Sequence, residues 1–258
     1  MPDPRVNLFG VDIDALRMPE AVERVMGWIH NPEPAAHRYV VTPNTDHAVM
    51  LHNDAAFREA YAHAALRLAD GMPVVLASRI LRKPLPERVT GADLVPALFS
   101  AANERRPLRA YLLGAGPGVA ERAAANVHSR WPHVRIVGTF SPPFGFEKDP
   151  ARTEGILRRI EAARPDVLVV GLGAPKQELW VAEHRHEICA KVSLCVGATI
   201  DFLAGEVRRA PRWMQCCGLE WLYRVMCEPR RLLRRYAKDA RVFPGLVWRE
   251  WRRKAPAK

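Results

Sequence analysis

No stretch of this 258-residue chain is apolar enough to cross a bilayer: its longest apolar run, residues 167–174, falls far short of the roughly 20 residues a spanning helix requires. The N-terminus, Met1-Pro-Asp-Pro-Arg5, leads into a charged segment reaching Asp14 and lacks the apolar centre of a secretory signal. The expectation is a protein made and kept in the cytosol. Cysteine is scarce: the five residues include the doublet Cys216-Cys217 but no C-x-x-C, which argues against a disulfide framework and a zinc knuckle. Reduced thiols are expected, with Cys189 and Cys195 serving as small packing residues in or beside apolar segments. Internal repeats and low-complexity tracts are absent too.

Most of the chain also lacks net charge. Of 39 Lys and Arg, 15 lie between Arg208 and Lys258, against 4 of the 28 Asp and Glu, so the first 207 residues carry 24 of each sign. The whole balance of +11 therefore sits at one end. Such segregation points to a partner for the cationic segment. Four of the seven Trp (Trp213, Trp221, Trp248 and Trp251) are interleaved with that charge. Arg with Trp on helical segments suits a phosphate-rich interface, either a lipid headgroup layer or a nucleic acid. The natural division is an α/β domain over residues 1–207 and a basic, Trp-rich helical appendage over residues 208–258.

Within the first part, apolar runs of strand length alternate with amphipathic runs of helical length. Strands are expected at Tyr39–Thr42, Leu66–Asp70, Ala110–Gly114, Arg135–Thr139, Val167–Gly171 and Val192–Gly197. Helices are expected at Met18–Ile29, Asp54–Ala64, Met72–Leu81, Ala92–Arg105, Gly118–Arg130, Ala151–Ala163 and Lys176–Glu187. Strands that are apolar throughout are buried on both faces, which implies a Rossmann-like, doubly wound, mostly parallel sheet flanked by helices. Such folds bind ligands beyond the carboxyl ends of their strands. The residues there are Thr42-Pro-Asn44, Asp70-Gly71, Gly114-Ala-Gly116-Pro-Gly118 and Gly171 to Glu178, with the loop Phe140–Asp149 at the same rim.

Each motif has a plain reading beside its functional one. Gly114-x-Gly116-x-Gly118 presents backbone N–H groups to a diphosphate or merely packs strand against helix. It lacks the G-x-G-x-x-G spacing, and the next strand ends without a carboxylate, which argues against NAD. Asp70 is either a proton acceptor in the crevice or the N-cap of the following helix. Thr42 and Asn44 carry the same two readings, and Gln177 and Glu178 either open a helix where a phosphate would meet free N–H groups or are plain first-turn residues. Asp12-x-Asp14 resembles a metal-holding carboxylate pair but lies before any nucleotide-binding unit, so a solvated strand end is expected. His184-x-His186 points to two faces of a helix, so no metal site is expected. If helical register survives Pro229, Arg224, Arg231 and Arg234 share a face and converge on a diphosphate; otherwise they are a solvated cationic face. Trp213, Leu219, Trp221, Leu222, Val225 and Met226 supply an apolar counterpart suited to a membrane surface.

Taken in order, several strings resemble the WecG/TagA/CpsF glycosyltransferases, glycosyltransferase family 26. They are Val41-Thr-Pro-Asn-Thr-Asp-His47, Leu68-Ala-Asp-Gly-Met-Pro-Val74, Pro86-Glu-Arg-Val-Thr-Gly-Ala-Asp93, Val170-Gly-Leu-Gly-Ala-Pro-Lys-Gln-Glu-Leu-Trp180, Gly218-Leu-Glu-Trp-Leu-Tyr-Arg224 and Glu228-Pro-Arg-Arg231. The doublet Cys216-Cys217, and Thr199-Ile200 before Asp201-Phe202, depart from the pattern.

The resemblance implies a metal-independent, inverting transferase without a cofactor, peripheral on the inner face of a bacterial plasma membrane and working in cell-surface polysaccharide synthesis. It implies a UDP-sugar donor, of N-acetylmannosamine type or with a glucosyl or uronic-acid variant, and a polyprenyl-diphosphate-linked sugar acceptor. By position, it makes Asp70 the general base and places Thr42, Asn44, Arg88 and Gln177 in the sugar and nucleotide pocket. Arg224, Arg231 and Arg234 become candidates for neutralising the departing UDP. A nucleic-acid-binding protein and an NAD-dependent oxidoreductase are the rival readings, and both leave these strings unexplained. Nucleic acid is therefore not an expected partner, while an anionic membrane is; a homo-oligomer is left open.

Overall fold

A computed structural model describes residues 5–31, 36–216 and 218–254, without the side chains of Arg212, Cys216, Arg231 and Lys254. Cys217 and the ends of the chain, including Lys258, lie outside the described residues.

The apolar runs become a six-stranded sheet in which every pairing is parallel. Its strands are β3 (Arg38–Val41), β4 (Leu66–Arg67), β5 (Leu108–Gly114), β6 (Val134–Phe140), β7 (Val167–Gly171) and β8 (Val192–Cys195), in the order β4-β3-β8-β7-β5-β6. They follow β1 (Arg5–Leu8) and β2 (Val11–Asp14), an antiparallel hairpin turning at Phe9 and Gly10, both at positive φ. This hairpin is absent from the expected elements.

Helices cover both faces, as a doubly wound sheet requires. One face carries α1 (Met18–Ile29), then, after α2 (Thr45–Asn53), α3 (Ala55–His63) and α4 (Met72–Ile80), the helices α5 (Gly91–Ala101) and α6 (Val119–Arg130). Their Val25, Leu94, Leu98 and Ala123 pack on Leu112, Val169 and Leu194 of the sheet. The other face carries α3, α7 (Pro150–Ala163) and α8 (Lys176–Glu183), whose Phe57, Ile160 and Val181 meet Val41, Leu113 and Val170. Burying each such aliphatic side chain contributes about 1.5–3 kcal/mol, which fixes the strand faces. Cys195 belongs to this second layer, whereas Cys189 is exposed.

After α9 (Thr199–Ala204) come three further helices: α10 (Arg212–Cys216), α11 (Glu220–Cys227) and α12 (Pro229–Lys254). The helix breaks at Glu228, so register does not run through Pro229, and the shared face expected of Arg224, Arg231 and Arg234 is not formed by one continuous helix. The basic end is also more than a surface attachment. Phe243 of α12 is buried with Leu8, Ile13, Val74 and Leu81, and its ring lies 5.2 Å from that of Phe9. The backbone N–H of Phe9 also donates to Glu250 Oε2 at 2.7 Å.

Asp14 is not a solvated strand end. It is 3% exposed, accepts the backbone N–H of Arg67 at 2.8 Å and pairs with Arg5 Nε at 3.0 Å. It braces the hairpin to the edge strand β4, and Asp12 accepts from Asn7 Nδ2 at 2.8 Å.

Candidate active site

The chain leaves β3 toward β4 at one edge, and β5 toward β6 at the other, so crevices open above the carboxyl ends of the strands. Above β3, β4 and β8 lies a cavity of about 500 Å³, closed on its far side by α11 and α12. Thr42, Asn44, Asp70, Arg88, Gln177 and Arg224 all line it.

Thr42 follows β3, and its hydroxyl donates to the carbonyl of Cys195 at 3.4 Å, joining two strand ends at the cavity floor. Asn44 caps α2 by accepting the His47 backbone N–H at 3.0 Å. Gln177 is held from two sides: its Nε2 donates to Glu178 Oε1 at 2.8 Å and its Oε1 accepts the Gly197 N–H at 3.2 Å. Glu178 itself is fully buried behind the wall and does not line the cavity. Burial pushes its carboxyl up to about 7, and its contact with the cavity wall is the hydrogen bond it accepts from Gln177.

Asp70 is not a helix cap. The N-cap of α4 is Gly71, at φ 119°, and no side chain caps that helix. This removes the plain reading of the carboxylate. Burial pushes the Asp70 carboxyl up to about 7; Glu220 adds to the shift, while Arg88 and Arg224 oppose it. A base with that affinity takes a proton efficiently near neutral pH. His47, also in the wall, is held down to about 3 by burial and by Arg235, and its Nδ1 lies 2.6 Å from the Tyr61 hydroxyl. It is a neutral imidazole.

Cations reach the cavity from both parts of the chain. Arg88 pairs with Glu220 Oε2 at 2.8 Å and with Asp93 Oδ2 at 3.6 Å, linking the body to α11. Arg209 bonds the same Asp93, and its guanidinium and that of Arg224 lie 5.7 and 5.8 Å from the Phe202 ring. From α12 the cavity receives Arg235, not Arg234, which is exposed; the side chain of Arg231 is outside the described residues. Arg235, Asp46, Glu220 and Asp239 are lining residues the sequence reading passed over. Asp46 and Glu220 stood in strings that carry the resemblance, whereas Arg235 and Asp239 stood in none.

Gly114 and Gly116 do not line the cavity. A Cβ on Gly114 would overlap the carbonyl of Gly171, and the Ala115 N–H donates to that carbonyl at 3.1 Å. The glycine turn packs β5 against β7. The Phe140–Asp149 loop also stays out, with Phe146 buried in the second layer and Phe144 exposed.

Residues 6–257 match the glycosyl transferase WecG/TagA/CpsF family. The chain belongs to that family. It is a glycosyltransferase with a Rossmann-like sheet. Two Staphylococcus aureus proteins, from strains MRSA252 and NCTC 8325 / PS 47, are each 30% identical to it over 228 residues, covering 88% of this chain and 87% of theirs. Both are named N-acetylglucosaminyldiphosphoundecaprenol N-acetyl-beta-D-mannosaminyltransferase. Among the described residues of the transferase, no helix is long and apolar enough to cross a membrane.

Proposed function

We propose that this glycosyltransferase moves an N-acetylmannosamine-type sugar from a UDP-sugar to a sugar carried on a polyprenyl diphosphate, with inversion and without a metal ion, in the synthesis of a bacterial cell-surface polysaccharide. The observation that carries the reading is an uncapped carboxylate, Asp70, in one cavity with guanidinium groups from the body and from the C-terminal helices. The names of the Staphylococcus relatives support the choice of sugar and acceptor.

In the reaction, the ionised Asp70 takes the proton of the acceptor hydroxyl. The freed oxygen attacks the anomeric carbon from the face opposite the nucleotide, and the bond from that carbon to the UDP oxygen breaks with its electron pair on UDP. Arg88, Arg224 and Arg235 supply the positive charge that the departing diphosphate requires, the role a divalent cation would otherwise fill. Thr42, Asn44 and Gln177 orient the sugar.

Residues 208–258 act on this reading as the part that meets the membrane. Trp213, Trp221, Met226, Leu233, Trp248 and Trp251 are exposed on helices that also expose Arg234, Arg241 and Arg252. This combination suits the headgroup layer of the inner membrane face, where the lipid-borne acceptor resides. The test is UDP release from UDP-N-acetylmannosamine in excess chelator, with and without an N-acetylglucosaminyl-diphosphoprenol acceptor. Release that depends on the acceptor and persists in chelator is expected. Release that needs an added divalent ion overturns the metal-independent mechanism.

A further inference from the structure

One polar pair in the cavity is left over by this chemistry. Asp239, from the middle of α12, is 2% exposed and lines the cavity, yet among the described residues no N–H or hydroxyl group donates to either of its carboxyl oxygens. Opposite stands Asp46, 8% exposed, in the first turn of α2 and also in the cavity wall. The two carboxyls are close enough to share a proton. Two cations, Arg235 and Lys238, act on the pair. Arg235 holds its Nε 3.7 Å from Asp46 Oδ2, beyond hydrogen-bond reach, and among the described residues that Nε has no hydrogen-bond partner.

As a device for docking α12 on α2, this pair makes little sense. Asp46 benefits from the N-terminus of its helix, but Asp239 lies mid-helix, where no such compensation exists. Burying two facing carboxyls while no described cation makes a hydrogen bond to either is unfavourable, and an apolar side chain at 239 would join the helices at lower cost. Unsatisfied groups that line an open cavity find their partners in what enters it.

The chemistry of the pair selects its ligand. Two carboxyls holding one proton offer several acceptor lone pairs and a single O–H. A diphosphate brings only acceptors and negative charge, and a polyprenyl chain brings no hydrogen bonds. Of the groups that the proposed reaction admits to the cavity, those that donate are the hydroxyls and acetamido N–H of the transferred and acceptor sugars and the ribose hydroxyls and uracil N–H of the uridine, which the affinity for UDP alone tells apart. Building on the transferase reading above, we infer that Asp46 and Asp239 form a sugar-binding subsite, completed only when α12 lies on α2, that grips hydroxyl or amide N–H groups of the donor or the acceptor sugar. Sugar recognition thereby depends on the C-terminal helix.

Asp239→Asn and Asp46→Asn in the full chain test this, each removing charge and acceptor capacity with little change in volume. With UDP-N-acetylmannosamine and a short-chain N-acetylglucosaminyl-diphosphoprenol, Asp239→Asn should raise the KM of one sugar substrate about tenfold or more. UDP affinity by calorimetry should stay within about twofold of wild type, and Tm should not fall. The substrate whose KM rises names the sugar held. Asp46→Asn reports on the same subsite from the other helix. Unchanged KM values for both substrates in an active Asp239→Asn protein overturn the subsite alone, as does an equal loss of UDP and sugar-nucleotide affinity. A wild-type protein that transfers from no UDP-sugar overturns the transferase reading and the subsite with it.

Discussion

Replacing Asp70 by Asn should make the protein more stable and nearly inactive, and the two effects share one cause. The carboxyl titrates at about 7 in the folded protein, against an ordinary value of 3.8. Between those values the folded state holds a proton that the unfolded chain has released. Stability therefore falls as pH rises from about 4 to 7, and the deficit is complete above the folded value. A shift of about three units corresponds to a ceiling of about 4 kcal/mol. The side chain is partly exposed at the cavity, where water screens it, so about 1–2 kcal/mol is the expected size.

Asn removes that cost and also the base. Urea denaturation should give a variant more stable than wild type by that amount at pH 8 and equal to it near pH 4. Initial rates at pH 8 should fall about 10²-fold or more, and the rise of wild-type kcat/KM through pH 7 should vanish. A variant that is less stable than wild type at pH 8, or one that keeps wild-type turnover, refutes the reasoning.

Other outcomes follow from the packing and from the surface. Gly114→Ala drives a Cβ into the backbone of Gly171, and soluble protein should be lost or stability should drop by about 3 kcal/mol or more in urea unfolding; Gly145→Ala, which meets open space at φ 81°, should cost about 1 kcal/mol. Phe243→Ala should cost about 3 kcal/mol and expose α12 to limited proteolysis, whereas a C-terminal region without a packing role would show neither change. Trp248→Ala with Trp251→Ala, two exposed stacked rings 5.3 Å apart, should weaken cosedimentation with anionic vesicles while leaving Tm unchanged. Raising the salt should release the wild-type protein from the same vesicles.

The sheet was legible because its strands are apolar on both faces, and Val167–Gly171 and Met18–Ile29 have the expected bounds. The strand ends then led to Thr42, Asn44, Asp70 and Gln177, since a parallel sheet places those residues at one rim. Helix α2 escaped because its buried side includes Asp46 and His47, which blur the apolar periodicity, and α9 is only six residues long. The hairpin β1–β2 consists of two four-residue strands bearing charge, too short to stand out. Arg235 and Asp239 were hidden for a different reason. Their place in the cavity depends on how α12 lies across α2 after the break at Glu228, a long-range relation that helical spacing through Pro229 misstates. Gly114 had the composition of a phosphate loop, and only the closeness of Gly171 reveals its packing role.

The most direct test of the central claim is the mass of the lipid product after incubating the protein with N-acetylglucosaminyl-diphosphoprenol and each of a panel of UDP-sugars. The account predicts that UDP-N-acetylmannosamine extends the acceptor by one N-acetylhexosamine, with one UDP released per acceptor extended. An unaltered acceptor with every donor, or sugar nucleotide consumed without acceptor extension, would contradict it.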